Sequence, residues 1–288
     1  MVKSKNPIWF GINSSSLPYE RLVPVAKAAE AAGFVSMSFW DRPPENSLEG
    51  WTTATAVAVQ TEKIIVTHST LNVPYRNPAL VAKMAATLDF ITGGRLLLTL
   101  GAGGQEGHAT SYGMSYGTPG ERYQDLKDAI AIMQGLWKND TFDYQGRRFN
   151  VKSASVDPKP VNGTVPIIIG AARPRMLRLT GAVADGWIKN MGWPESHDQY
   201  RGMLSLMEEG AEKAGRDPAT IRRVLNGAGY IGSENRTGGL QGTAGHILET
   251  VDEYVELGVD YFQLAFASDG IEEQLRQFGE EVIAKANR

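Results

Sequence analysis

The chain has 288 residues, 42% of them hydrophobic and 21% charged, and a net charge of -3. That length holds one barrel of roughly 250 residues and little more. The charge balance excludes a broad electrostatic footprint for nucleic acid, and the absence of cysteine excludes disulfides, thiolate metal sites and a cysteine nucleophile.

Residues 1–10 lack the apolar run of a signal peptide, and no stretch approaches the roughly 20 apolar residues of a membrane span. The expected location is cytoplasmic, with neither membrane nor nucleic acid as a partner. From there a regular beat begins. Strand-like runs at 8–13, 34–40, 63–71, 96–101, 165–170, 186–190, 222–231 and 261–267 each precede a helical run, the pattern of parallel β/α architecture. The first helix, 19–32, stops at Gly33, and the third opens at Asn77-Pro78 with proline in the first turn. After a fourth helix ending near Trp137, the segment 139–164 reads as a β-hairpin outside the barrel, with Pro158 and Pro160 as stiff loop residues. A Gly-rich loop at 233–245 is either a flap or a turn. Thr243 is a plausible N-cap for the seventh helix, which ends at Gly258. Eight beats without a composition break predict one α/β domain over 1–288, a closed (β/α)8 barrel with a hairpin insertion. The alternative, an open doubly wound sheet, calls for Gly-x-Gly-x-x-Gly in its first turn, where this chain has Ile12-Asn13-Ser14-Ser15-Ser16.

In a barrel the chemistry sits at the C-terminal ends of the strands. The residues there are Asp41 and Arg42; His68, Ser69, Thr70, Asn72 and Arg76; Gly101-Ala102-Gly103-Gly104-Gln105-Glu106-Gly107-His108; Gly170-Ala171-Ala172-Arg173-Pro174-Arg175; and Lys189 and Asn190. The glycine-rich stretch serves either as a turn or as backbone that approaches a planar or anionic ligand. Small residues and arginine opening a helix at Pro174 suit an anion. Arg42, Arg76, Arg173, Arg175 and Lys189 together suggest a ligand with more than one negative group.

These residues also carry a resemblance. Ala28-Ala29-Glu30-Ala31-Ala32-Gly33-Phe34 with Trp40-Asp41 resembles the opening unit of luciferase-like flavin and deazaflavin enzymes. Arg76-Asn77-Pro78-Ala79-Leu80, Ala86-Thr87-Leu88-Asp89, Gly93-Gly94-Arg95 and Gly101-Ala102-Gly103 resemble that superfamily's central stretch. Arg122, Leu136-Trp137, Tyr144-Gln145-Gly146, Pro166 to Gly170, Ala184-Asp185-Gly186-Trp187 and Glu256-Leu257-Gly258-Val259-Asp260 continue it. Asp89 with Arg95, and Asp185-Gly186, read as architectural. The resemblance implies a luciferase-like TIM barrel, a flavin-type cofactor and a homodimer. Pro74-Tyr75-Arg76-Asn77-Pro78 and the stretch from Gly170 to Leu177 are more similar to the branch that uses coenzyme F420 than to FMN enzymes. In that branch a non-prolyl cis peptide ends the third strand, and Ser69-Thr70 occupies its place here. By the same resemblance Asp41 is the cofactor-contacting acid after the second strand, Ser69, Thr70 and Asn72 contact the deazaflavin ring or hold its back face, Gly103, Gly104 and Gln105 line the cofactor, and Gly170, Ala171, Ala172 and Arg173 bind its phosphate.

Two positions depart from the sugar-phosphate dehydrogenases of that branch. Arg42 stands where they carry histidine, and Gly104 where they carry glutamate. A reductase passing hydride from deazaflavin C5 to a small organic substrate fits better, with Glu106 and His108 as candidate proton donors. Trp40, Trp51 and Trp193 are candidate pocket walls, and His68 is expected to be a packed, hydrogen-bonded strand residue. The alternatives are an FMN-dependent monooxygenase and a non-catalytic cofactor-binding barrel. A lyase or aldolase is disfavoured, because Lys189 is the lone candidate for a Schiff base and no carboxylates or histidines have metal-ligand spacing.

Overall fold

Apolar runs of four or five residues alternate here with helices that carry their own start and stop signals, and the backbone follows those signals. The computed structural model describes residues 5–13, 17–42, 48–189 and 192–286. Its elements are β1 (Trp9–Asn13), α1 (Tyr19–Ala31), β2 (Ser36–Phe39), α2 (Gly50–Ala58), β3 (Ile65–His68), β4 (Leu71–Asn72), α3 (Pro78–Thr92), β5 (Leu98–Gly101), α4 (Glu106–Thr110), α5 (Pro119–Lys138), β6 (Phe142–Gln145), β7 (Asn150–Ala154), β8 (Ile167–Ala171), α6 (Pro174–Val183), β9 (Gly186–Lys189), α7 (His197–Lys213), β10 (Arg222–Ile231), β11 (Gly239–Gly242), α8 (Ala244–Glu256), β12 (Tyr261–Ala265), α9 (Ile271–Phe278) and α10 (Ala284–Ala286). The strands read from the sequence are β1, β2, β3, β5, β8, β9, β10 and β12. Asn190, read as the end of the sixth, and Ser14 to Ser16 in the first turn lie outside the described residues.

The caps explain the boundaries. Gly33 takes a left-handed φ of 88° after α1, a conformation that costs glycine little. The Asn77 carboxamide accepts from the amide of Ala79 at 2.9 Å at the start of α3. Thr118 and Glu121 form a reciprocal capping box on α5. Thr243 accepts from the amide of His246 to open α8. Among the described residues no helix is long and apolar enough to cross a membrane.

The chain divides into two units, Met1–Ser38 with Gln60–Ile65 and Ile168–Arg288, and Phe39–Val59 with Val66–Ile167. In the first unit a parallel sheet runs in the order β2, β1, β12, β10, β9, β8. Phe10, Phe262 and Phe278 cluster on its helix-covered face. Helices α6 and α7 meet at glycines: a Cβ on Gly181 would lie 1.9 Å from the Met207 carbonyl oxygen, and one on Gly210 would lie 2.1 Å from that of Arg178. The 233–245 segment contains a strand, since β11 pairs parallel with β10.

In the second unit β4 pairs parallel with β5, and the expected hairpin is present as antiparallel β6 and β7. The Phe142 ring fills the space above Gly135 on α5, where a Cβ would come within 2.3 Å of it, and the Tyr144 hydroxyl donates to Asp128 at 2.9 Å. The Asp157–Pro158 peptide is cis. The pair read as architectural anchors the chain: Asp89 accepts from the amide of Val161 at 2.8 Å, and Arg95 donates to the carbonyls of Thr92 and Ala58.

Candidate active site

The end of β3 carries a dense polar lattice. Asp41 is 3% exposed. One of its carboxylate oxygens accepts from the Asn72 amide at 2.7 Å and from Arg76 at 3.0 Å, and the other lies 2.9 Å from the same Arg76 nitrogen. The Asn72 carboxamide donates back to the carbonyl of Asp41 at 2.9 Å and to that of Thr70 at 3.2 Å. The second arm of Arg76 donates to Glu49 at 2.7 Å. Glu49 also caps α2, accepting from the amides of Trp51 and Thr52. Burial drives the Asp41 carboxyl above its ordinary pKa, and Arg76 and the Asn72 amide only partly offset this. Burial works against the Glu49 anion too, but the α2 amides and Arg76 prevail and hold its pKa down.

Ser69 and Thr70 sit inside this lattice, and the peptide between them is cis, as the resemblance implied. The Ser69 amide donates to the carbonyl of Phe39 at 3.0 Å. Across from Thr70, Gly101 has no room for a side chain, because a Cβ there would lie 2.4 Å from the Thr70 hydroxyl. Gly103 has a φ of 93° and is closed in by Pro74 and Tyr116, whose hydroxyl donates to the Gly103 carbonyl at 3.1 Å. Arg122 lies over the Tyr116 ring at 4.1 Å. Hydrogen bonds therefore join Asp41, Asn72 and Thr70, with Ser69 next to Thr70 in sequence and tied to the Phe39 carbonyl, and Gly103 is part of a fixed turn. Gly104 and Gln105 are exposed beyond it.

Glu106 and His108 fall on the short helix α4, the first exposed and the second half-buried. Residues two apart on a helix point to different sides, so one ligand cannot face both. His68 departs from expectation. It is fully buried and its ring stacks on Trp51 at 5.2 Å, yet neither ring nitrogen has a hydrogen-bond partner. Burial, reinforced by the Arg76 charge, lowers its pKa to about 3, so the ring is neutral. Trp51 is thus committed to packing. Trp193 packs edge-on against Tyr254 at 4.8 Å, and Trp40 lies under Arg42.

In the first unit Gly170 and Ala171 end β8, buried, and the Ala171 carbonyl accepts from the Trp187 indole at 3.0 Å. Arg173 is the exposed N-cap residue of α6, and no side chain caps that helix start. Its amides and dipole suit an anion. Lys189 is buried and donates to the carbonyls of Gly192 and Trp193. Burial lowers its pKa, opposed by Glu195. Sequence reasoning passed over Glu49, Tyr116 and the close approach of Gly101 to Thr70. Glu49 had a faint signal, an acceptor directly before the helical run 50–58.

The model of the family described as luciferase-like monooxygenase matches residues 3–237. The chain belongs to that family. It is 31% identical over 220 residues to an F420-dependent glucose-6-phosphate dehydrogenase of Microbacterium testaceum, a match covering 73% of this chain and 64% of that protein. The chain thus spans just under two thirds of that curated relative. Among solved structures, the coenzyme F420 dependent tetrahydromethanopterin reductase of Methanopyrus kandleri superposes with a TM-score of 0.84 at 19% identity, over 97% of this chain and 99% of that one. An F420-dependent secondary alcohol dehydrogenase, solved with an F420-acetone adduct, superposes with a TM-score of 0.83 at 19% identity, over 98% and 100%. The fold class read from the sequence, a luciferase-like (β/α)8 TIM barrel with a hairpin insertion, holds.

Proposed function

We propose that this luciferase-like protein is an F420-dependent oxidoreductase, acting as a reductase on a small organic substrate in the cytoplasm. The observation that carries the reading is the bonded cluster of Asp41, Asn72 and Arg76 around Ser69 and Thr70, joined to sequence kinship with F420-dependent dehydrogenases. The residues fit the group. Gly101 leaves space only for Thr70, Gly103 offers backbone at a fixed turn, and α6 begins without a side-chain cap.

F420, when bound, supplies a hydride carrier at the C5 carbon of its deazaflavin ring. Asp41, Ser69, Thr70 and Asn72, with Gly103, Gly104 and Gln105, would hold the ring, and Gly170, Ala171, Ala172 and Arg173 would take the phosphate. The Asp41 carboxylate acts through others: it fixes the Asn72 backbone and the Arg76 side chain, so the ring-facing groups keep one geometry without reorganising. A proton for the substrate comes from the Glu106 carboxyl or a His108 ring nitrogen. Arg42 and Gly104 stand where sugar-phosphate dehydrogenases of this branch carry histidine and glutamate, and without those two groups reduction fits better than oxidation of glucose 6-phosphate, the substrate in the relative's name. The assembly is a homodimer; exposed Leu80, Phe90 and Ile91 on α3 offer apolar surface for it.

The test is a titration of the purified protein with F420 and, in parallel, with FMN, at low and moderate salt. Binding of F420 at least tenfold tighter than FMN is the expected result. Tighter FMN binding moves the protein to the monooxygenase branch, and binding of neither removes the cofactor assignment.

A further inference from the structure

Register in the first unit fixes which strand residues share a face. Trp9, Gly11 and Asn13 on β1 align with Tyr261, Gln263 and their β12 neighbours, with Ser36 and Ser38 on β2, and with Val224, Asn226 and Ala228 on β10. The opposite face carries Phe10 and Phe262, packed against Phe278 of α9, so the first set lies on the face turned away from the helices. Its lower tier is closed. Trp9 packs edge-on against Tyr261, Arg222 covers the Trp9 ring at 3.6 Å, and the Tyr261 hydroxyl bonds to Ser36. Gly11 has to be glycine there, since a Cβ would lie 2.2 Å from the Ser36 hydroxyl and 3.0 Å from the Tyr261 ring.

The next tier towards the strand ends is different. Gln263 is 1% exposed and its amide nitrogen has no hydrogen-bond partner. It stands between Gly11, which offers no side chain, and Asn226, the residue paired with it on β10. A buried amide left unsatisfied costs free energy that an apolar residue of similar volume would not. Leucine or methionine would fill this place in an ordinary core. This tier, Gly11, Ser36, Asn226 and Gln263, and the level above it, Asn13, Ser38, Ala228 and Ala265, carry no formal charge between them. A carboxylate or phosphate brought here would need a cation, and the set supplies none. A neutral carbonyl oxygen needs only one N–H.

We propose that Gln263, with Asn226 beside it, forms the floor on which the substrate docks, donating its amide hydrogen to an uncharged carbonyl oxygen. The ligand class is thus neutral ketones, enones and carboxamides, not sugar phosphates or carboxylates. The tier lies one alternation, about 6–7 Å, below the ends of β1 and β12, within reach of a small ligand at the strand tops. The proposal rests on the F420 reading and adds the substrate class to it.

The test uses F420-loaded protein with glutamine side chains labelled for NMR, titrated with cyclohexenone, cyclohexanone and benzamide and, as the charged control, glucose 6-phosphate. The Gln263 side-chain signal is assigned by its disappearance in Gln263→Leu. At least one of the three neutral compounds is expected to move that signal, while glucose 6-phosphate leaves it still. Gln263→Leu should bind F420 as the wild type does, melt no lower than the wild type, and hold the neutral compound about three- to tenfold more weakly, the worth of one neutral hydrogen bond. A Gln263→Leu protein that melts lower and binds the carbonyl compounds unchanged has lost a core residue and not a ligand contact, and the proposal falls. It falls equally if none of the three neutral compounds moves the signal, or if glucose 6-phosphate does. Failure of the wild type to hold F420 is seen before any carbonyl compound is added, and removes the cofactor reading together with the proposal built on it.

Discussion

Substituting Arg76 by methionine probes the centre of the lattice at β3. The apolar stem is largely kept and the charged guanidinium is lost, so Asp41 is left buried at 3% exposure with the Asn72 amide as its remaining donor. Breaking a buried pair by removing one partner costs about 3–5 kcal/mol. The lower end applies because Arg76 retains 17% exposure of its side chain. About 3 kcal/mol corresponds to a melting temperature lower by roughly 6–12 °C in a chain of this size. The pH dependence identifies the cause. The folded-state pKa of Asp41 is raised above 3.8, so the folded protein holds that proton more tightly than the unfolded chain does. Its contribution to stability is greatest below 3.8 and falls as pH rises through the folded-state value. Removing Arg76 takes away a cation that lowers the pKa, which raises it further and carries this loss to higher pH. The melting-temperature gap between Arg76→Met and the wild type should therefore widen from about pH 4 to neutrality. Adding Asp41→Asn should recover most of it. A gap that does not change with pH, or an Asp41→Asn substitution that simply adds its own loss to that of Arg76→Met, refutes the charge argument and leaves only lost packing.

Two further substitutions separate the cofactor cradle from the support behind it. Gly101→Ala places a Cβ 2.4 Å from the Thr70 hydroxyl; it should cost about 1–3 kcal/mol of stability by overpacking and weaken F420 binding at least tenfold, and a second change, Thr70→Ala, should relieve the overpacking in thermal melts. His68→Leu replaces a buried ring whose nitrogens have no partner and should melt no lower than the wild type at neutral pH. The wild-type His68 stays neutral down to about 3 while the unfolded ring protonates near 6.5, so its share of stability is present above 6.5 and lost as pH falls towards 3. Acid unfolding of His68→Leu should accordingly begin at lower pH, and identical acid profiles would show that His68 does not titrate as described.

The sequence made the eight strands and the hairpin legible because their signals are local. Asn77 before Pro78, Gly33 after an alanine-rich helix, and Tyr144-Gln145-Gly146 each set backbone geometry within a few residues. The cluster at Ser69-Thr70 was legible only through resemblance, since nothing in Thr67-His68-Ser69-Thr70 announces which carboxylate will lie beside it. Glu49 escaped notice because its role joins two events far apart in sequence, capping α2 and holding Arg76. The Gln263 tier escaped for the opposite reason. A glutamine within Tyr261–Ala265 reads as an ordinary strand residue until register shows it buried between a glycine and an asparagine. β11 was hidden by composition, because its glycines suggest a loop, whereas Gly239 has no room for a side chain: a Cβ there would lie 2.1 Å from the Ala228 carbonyl oxygen.

The cations at the strand ends show how position in sequence can mislead about charge. Five of them suggested a ligand with several negative groups, yet most are occupied by the protein itself. Arg76 is shared by Asp41 and Glu49, Lys189 is turned onto the carbonyls of Gly192 and Trp193, and Arg42 lies over Trp40 at 4.2 Å. Arg173, exposed at the uncapped start of α6, keeps the setting an anion requires, and one helix start suits one phosphate. Both F420 and FMN carry such a phosphate, so the charge at α6 cannot choose between them. On the proposed reading the choice falls to the ring cradle of Asp41, Asn72, Ser69, Thr70 and Gly103, where hydrogen bonds and close backbone approach act at short range and salt screens little. Moderate salt lowers the charge contribution to both cofactors, which makes the ratio measured there a reading weighted towards the cradle.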